Sequence, residues 1–126
     1  MPHCFEVLPD DLAICRLNGD APFPAWAAGR LISLTRSGTE LSVVCGASHV
    51  PIDVQADRDW SALRICGPLD LDQIGILADI SRLLAEAQVA IFVISTYDTD
   101  IVLIKQCRLT SAINALRVAG HVVREQ

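Results

Sequence analysis

Clusters of basic residues are missing from this sequence. Its ten lysines and arginines stand singly among fifteen acidic residues, a net charge of −5. The electrostatic footprint that attracts nucleic acid or anionic lipid is therefore lacking, and partners are expected among small molecules and proteins. Long apolar runs are missing too. No stretch reaches the roughly 18 apolar residues of a membrane span, and the start, Met1-Pro2-His3-Cys4-Phe5-Glu6, has neither the basic nor the apolar region of a signal peptide. A cytoplasmic protein is expected, with no membrane or nucleic-acid partner.

Cysteine and histidine are too scattered for metal or disulfide chemistry. The five cysteines, Cys4, Cys15, Cys45, Cys66 and Cys107, are odd in number and never closer than eleven residues. Neither a disulfide framework nor a zinc knuckle is suggested. Cys15, Cys45 and Cys66 sit in or beside apolar runs, as small buried hydrophobes do. His3, His49 and His121 fall in a terminal tail, a loop and an expected last strand, and none has a second ligand at metal spacing. With no phosphate loop, nucleophile elbow or HExxH, no catalytic residue, metal or cofactor is assigned, and the chain is not expected to be an enzyme.

What the sequence does have is apolar residue, 52% of its 126 positions, enough for a real core. Ala62-Leu63-Arg64-Ile65-Cys66 alternates as a strand, and Gly67-Pro68 ends it. From Leu71 to Ala87, Ile76, Ile80, Leu83 and Ala87 recur at helical spacing, opposite Asp72, Asp79, Arg82 and Glu86. Two short Ile/Val-rich runs, Val89–Ile94 and Ile101–Ile104, follow as antiparallel strands. A second helix is expected over Leu109–Ala119, with Gly120 as its stop and His121–Arg124 as a last strand. The order β-α-β-β-α-β is a split βαβ pattern.

The first half repeats this order faintly. Leu12–Leu17 reads as a strand, Phe23–Ala28 as a stunted helix and Arg30–Cys45 as a hairpin. Overlaying the two hairpins places Glu40 on Asp100 and Thr35 near Thr96, with one extra residue in the first loop. A degenerate duplication follows, with units at residues 1–60 and 61–126 and a joint near Asp57-Arg58-Asp59-Trp60. Both faces of the strands around the second hairpin are apolar, so the face away from the helices needs the first half, a second chain, or both.

The connection "ISTYDTD", residues 94 to 100, carries hydroxyls, a phenol and two carboxylates between those apolar strands. A calcium loop would need a glycine and a distal glutamate that are absent here. On spacing alone, Ser, Thr and Asp making a turn is the stronger reading. Gly75 changes the weighing, because a glycine in the first turns of a helix lets a ligand approach the backbone, and free N–H groups there bind carboxylates. The turn before the helix and the hairpin need not meet in one unit, but they can face each other across two. Together they would offer donors for a carboxylate and the oxygens of Thr96, Thr99 and Asp100 for an ammonium, the two ends of a free amino acid.

Gly67 to Ile104, "GPLDLDQIGILADISRLLAEAQVAIFVISTYDTDIVLI", resembles the ACT domain, and within it the cytosolic arginine-sensor (CASTOR) and aspartate-kinase regulatory subgroup. Ser95, Thr96, Tyr97, Thr99 and Asp100 match the subgroup's Ser-Thr-Tyr-x-Thr-Asp motif, and Ser33-Leu34-Thr35 with Glu40-Leu41-Ser42-Val43 is similar to its degenerate leading unit. The resemblance implies an α+β fold of ferredoxin-like βαββαβ units in tandem, each an antiparallel sheet with helices on one face, the first unit degenerate. It also implies a regulatory module that binds an amino acid at a unit interface and signals to a partner enzyme or regulator. The site carried over comprises Asp70, Leu71, Asp72, Gln73, Ile74, Gly75 and Ile76 from the turn, Ala90 and Ile91 from the strand start, and Asp100. Asp70 stands where the arginine sensors have glycine and Gln73 where they have glutamate, so the amino acid stays open. Those sensors hold four units, and a homodimer of this chain would be the equivalent. The alternative is an ACT scaffold without a ligand that serves as a protein-interaction module.

Overall fold

The structure is a computed structural model that describes residues 2–67, 69 and 72–125. Its eight strands and two α-helices run β1 (Cys4–Val7), β2 (Leu12–Asn18), β3 (Ser33–Ser37), β4 (Glu40–Gly46), β5 (Ala56–Ile65), α1 (Ile76–Glu86), β6 (Phe92–Ser95), β7 (Asp100–Lys105), α2 (Leu109–Val118) and β8 (Val122–Arg124). The chain divides into two compact units, Asp10–Trp60 and Met1–Pro9 with Ser61–Gln126, and crosses between them inside β5.

In the Asp10–Trp60 unit the strands lie in the order β3-β4-β2-β5, all antiparallel. Ser37 pairs with Glu40, so Gly38 and Thr39 alone make the turn, and Gly38 takes the positive φ of 55° that tight hairpins favour. Ala13, Cys15, Leu41, Val43 and Cys45 face one way by strand alternation and form the core with Ala47 and Val50. The stunted helix expected over Phe23–Ala28 does not form. Pro22 and Pro24 lock φ and remove two N–H donors, and the segment turns instead, with the Ala27 N–H on the Pro24 carbonyl at 3.2 Å. The expected joint near Asp57–Trp60 falls on a bulge in β5. Ile14 pairs with Asp57 and Leu12 with Trp60, and Asp59 takes the extra position at a φ of 68°.

In the other unit the order is β6-β7-β5-β1-β8, with both helices on one face. Phe5, Leu63, Ile65, Val102, Ile104 and Val123 alternate onto that face and meet Ile76, Ile80 and Leu84 of α1 and Ala112, Ile113 and Leu116 of α2. Each of the Val, Leu, Ile and Phe side chains contributes roughly 1.5–3 kcal/mol by leaving water. The segment expected to be a terminal tail is the strand β1, antiparallel to β5 and parallel to β8. Phe5, fully buried, ties it into this core, so residues before Asp10 belong here and not with the first half. On the face away from the helices, Ile101 and Leu103 are buried within the single chain, while Phe92 and Ile94 are half-buried.

The helix expected from Leu71 begins at Ile76, because Gly75 adopts a φ of 91° and ends any helical path through Asp72–Ile74. Leu71 itself lies outside the described residues. Arg108 closes the other end of α1, its guanidinium donating to the Ala87 and Gln88 carbonyls at 3.4 and 3.0 Å.

Candidate functional site

A cavity of about 300 Å³ opens where the start of α1 faces the β6–β7 hairpin. Its walls include Leu69, Gln73, Gly75, Ile76, Leu77 and Ala78 on one side and Ser95, Thr96, Tyr97, Thr99 and Asp100 on the other. All belong to the unit built around Ser61–Gln126. The turn and the hairpin, which need not meet in one unit, do so here: split βαβ winding brings α1 back over the hairpin it precedes.

On the helix side, no side chain among the described residues caps α1. Its first closed bond is from the Asp79 N–H to the Gly75 carbonyl at 3.1 Å, which leaves the N–H groups of Ile76, Leu77 and Ala78 without intrahelical acceptors. The positive end of the helix dipole lies there as well, so this wall favours an anion. A Cβ on Gly75 would meet nothing within 4 Å, so the backbone at this point is open to a ligand.

On the hairpin side, the oxygens divide by role. Thr96 Oγ1 donates to the Thr99 carbonyl and accepts from the Thr99 N–H, both at 3.1 Å. Thr99, 4% exposed, donates its hydroxyl to the Ile65 carbonyl at 2.7 Å. These two hydroxyls build the loop and tie it to β5. Asp100 opens β7 opposite Ser95, half-buried, and its carboxylate has no hydrogen-bond or ion-pair partner among the described residues. One wall thus offers N–H donors and the other an unpaired carboxylate.

The turn from β5 is held against the same loop. The Leu69 N–H donates to the Asp98 carbonyl at 2.6 Å, and a Cβ on Gly67 would come within 3.1 Å of that carbonyl, so glycine permits the approach.

Of the residues expected at the site, Gln73, Gly75, Ile76, Thr96, Thr99 and Asp100 line the cavity. Asp72 and Ile74 are exposed outside it, and Ala90 and Ile91 precede β6 away from it. Asp70 and Leu71 lie outside the described residues. Leu69, Leu77, Ala78, Ser95 and Tyr97 also line the cavity, although none is among the expected site residues. Ser95 and Tyr97 stand in the Ser-Thr-Tyr motif itself, and the two helix residues would have followed from a helix start at Ile76.

Among the described residues no group of His, Cys, Asp and Glu could hold a metal, and no helix is long and apolar enough to cross a membrane. Burial pushes the Cys15 thiol up to about 11 and that of Cys45 upward, so both are inert core groups.

Among known proteins, the whole chain is similar to a solved protein from Agobacterium tumefaciens at 33% identity, covering 100% of this chain and 95% of that one with a TM-score of 0.94. A Vibrio cholerae protein of unknown function shares the fold at 20% identity, over 91% of this chain and 88% of the other, with a TM-score of 0.76. So does the ligand-free regulatory subunit of aspartate kinase from Thermus thermophilus, at 14% identity, over 88% and 93% of the two chains, with a TM-score of 0.62. A second family pattern, described as an N-terminal domain, matches residues 10–53. The ACT domain pattern matches residues 55–118, which hold the helix start, the hairpin and the cavity between them, and the chain belongs to the ACT domain family of regulatory, ligand-binding modules.

Proposed function

We propose that this chain is an amino-acid sensor that binds a free amino acid in the cavity between α1 and the β6–β7 hairpin and reports its presence to a partner protein. The observation that carries the reading is the pairing of unlike walls around one cavity: Ile76, Leu77 and Ala78 with their open helix-start N–H groups on one side, and on the other Asp100, whose carboxylate has no partner among the described residues. A carboxylate fits the first wall and an ammonium the second. A volume of about 300 Å³ suits a small ligand.

The functional unit in this reading is a cytoplasmic homodimer, with Asp10–Trp60 as a degenerate first ACT unit that has lost its helices. Ile74 and Tyr97, 94% and 80% exposed at or beside the cavity mouth, are apolar surface for a second copy to cover. Ala90 and Ile91 enter the site only if that second copy supplies them. A ligand bridging two copies stabilises one arrangement of the dimer, and a partner enzyme or regulator binding that arrangement senses occupancy.

A thermal-shift screen of the common amino acids tests this. Ligand at a hundred times its dissociation constant stabilises the fold by about 2.7 kcal/mol, a rise of roughly 5–20 °C for a chain of this size. Asp100→Asn keeps the shape, removes the charge and should abolish most of the rise. A wild type that no amino acid stabilises, or an unchanged rise in Asp100→Asn, refutes the proposal.

A further inference from the structure

Cys4 and Cys66 stand 62 positions apart in sequence, yet their Sγ atoms are 2.9 Å apart. The β1–β5 ladder explains this. Phe5 pairs with Ile65, and one step outward the Cys66 N–H donates to the Cys4 carbonyl at 2.8 Å, so the two cysteines face each other across antiparallel strands. Directly opposed residues have Cα atoms about 4.5–5.5 Å apart, inside the range a disulfide spans. Both are half-exposed, because the alternation that turns Phe5 and Ile65 into the core turns their neighbours away from it. Cys15 and Cys45 are buried, and Cys107 is exposed without a described cysteine partner.

We propose that Cys4 and Cys66 are a reversible dithiol–disulfide site, oxidised by a low-molecular-weight disulfide such as oxidised glutathione. The Cys66 thiol donates to the Cys4 sulfur, which leaves a lone pair on Cys4 supported by a donor. Burial and this contact raise the Cys66 thiol and disfavour it as the first thiolate. Cys4 loses its proton to solvent and attacks one sulfur of glutathione disulfide, forming a mixed disulfide and releasing one glutathione thiolate. Cys66 then loses its proton and attacks the Cys4 sulfur, and the second glutathione leaves. Two protein thiols are oxidised, and one glutathione disulfide is reduced to two thiolates that take up the two protons the cysteines released, leaving two glutathione thiols. The opposed register keeps the second step intramolecular, so the mixed disulfide does not accumulate.

The test is to incubate the native protein with oxidised glutathione, alkylate it under denaturing conditions and weigh it. Cys4 and Cys66 should then resist alkylation and carry no glutathione adduct, and digestion should yield a peptide joining Cys4 to Cys66 that dithiothreitol separates. In Cys66→Ser, with its fold checked by circular dichroism, the glutathione adduct on Cys4 should persist. Cys4 and Cys66 both alkylating after oxidation, a lasting adduct on either of them in the wild type, or a bond joining any other pair overturns the proposal.

Discussion

Gly75 is where the backbone, the helix start and the cavity meet, and replacing it separates their contributions. Its φ of 91° lies in the region that side chains disfavour, while a Cβ there would touch nothing within 4 Å. Substitution therefore tests backbone conformation without a packing change. A left-handed backbone costs an alanine about 1–2 kcal/mol, and alanine is a poorer helix N-cap than glycine by several tenths of a kcal/mol or more. The stiffer unfolded chain of the variant offsets about 0.4–1 kcal/mol. The expected net loss for Gly75→Ala is about 1–1.5 kcal/mol, read as a lower urea midpoint at unchanged m-value. Gly75→Asn should lose less than half of that, because asparagine tolerates the left-handed region and caps helices well. If alanine matches the wild type, or asparagine destabilises more than alanine, the helix start is not held by this conformation.

Thr99→Val keeps the shape but removes the donor to the buried Ile65 carbonyl, so it should cost about 1–3 kcal/mol in chemical denaturation; an unchanged midpoint would show that the loop is held by other contacts. His121 is lowered from its ordinary value by burial and by His3, with Asp79 opposing, so its neutral form favours the fold; this stabilisation is present above about pH 6.5 and is lost as pH falls through the lowered value. His121→Gln should flatten the stability profile below about pH 6.5, the ordinary histidine value, and a profile as steep as the wild type's would refute the assignment. Cys15 is raised by burial, so its contribution is complete below its ordinary value of 9.0 and fades as pH rises toward about 11. At pH 8 it should resist iodoacetamide in the native protein while Cys107 reacts, and equal labelling rates would contradict its burial.

The second half of the fold was legible because its elements are periodic. Ile76, Ile80 and the alternating Leu63 and Ile65 announce a helix and a strand that each bury one face. Two features resisted reading because long-range pairing decides them, and a third because of a local glycine. Cys4–Val7 is too short to declare itself a strand, and becomes one because β5 and β8 lie on either side of it. Cys66, expected in the core, is turned outward by the pleat that buries Ile65, beside a cysteine that no sequence spacing could reveal. The expected helix ran five residues too early, because a glycine within an apolar stripe looks like a tolerated defect when it is the boundary. Gly75 and Asp100, singled out for their chemistry, line the cavity, and the turn reading of the hairpin holds for the hydroxyls of Thr96 and Thr99. The hairpin overlay paired Glu40 with Asp100, and each does open the second strand of its hairpin, but the first loop is two residues shorter and not one longer.

That last comparison bears on how many ligands one chain can hold. Glu40 has the same place in its hairpin as Asp100, so a carboxylate at this position is common to both units. What differs is the opposite wall. Between β2 and β3 the chain forms turns and no helix, so no row of unpaired N–H groups is available there, and Glu40 is exposed. The loop before Glu40 holds two residues and lacks the threonine pair that fixes the loop before Asp100. A carboxylate alone attracts an ammonium only weakly through water, whereas donors and acceptor on facing walls recognise both ends of one molecule. Calorimetric titration with an amino acid that stabilises the protein should therefore give one site per chain, removed by Asp100→Asn and retained in Glu40→Gln. Two sites per chain, or loss of binding in Glu40→Gln, would refute the argument that the helix start is the part of the site the first unit lacks.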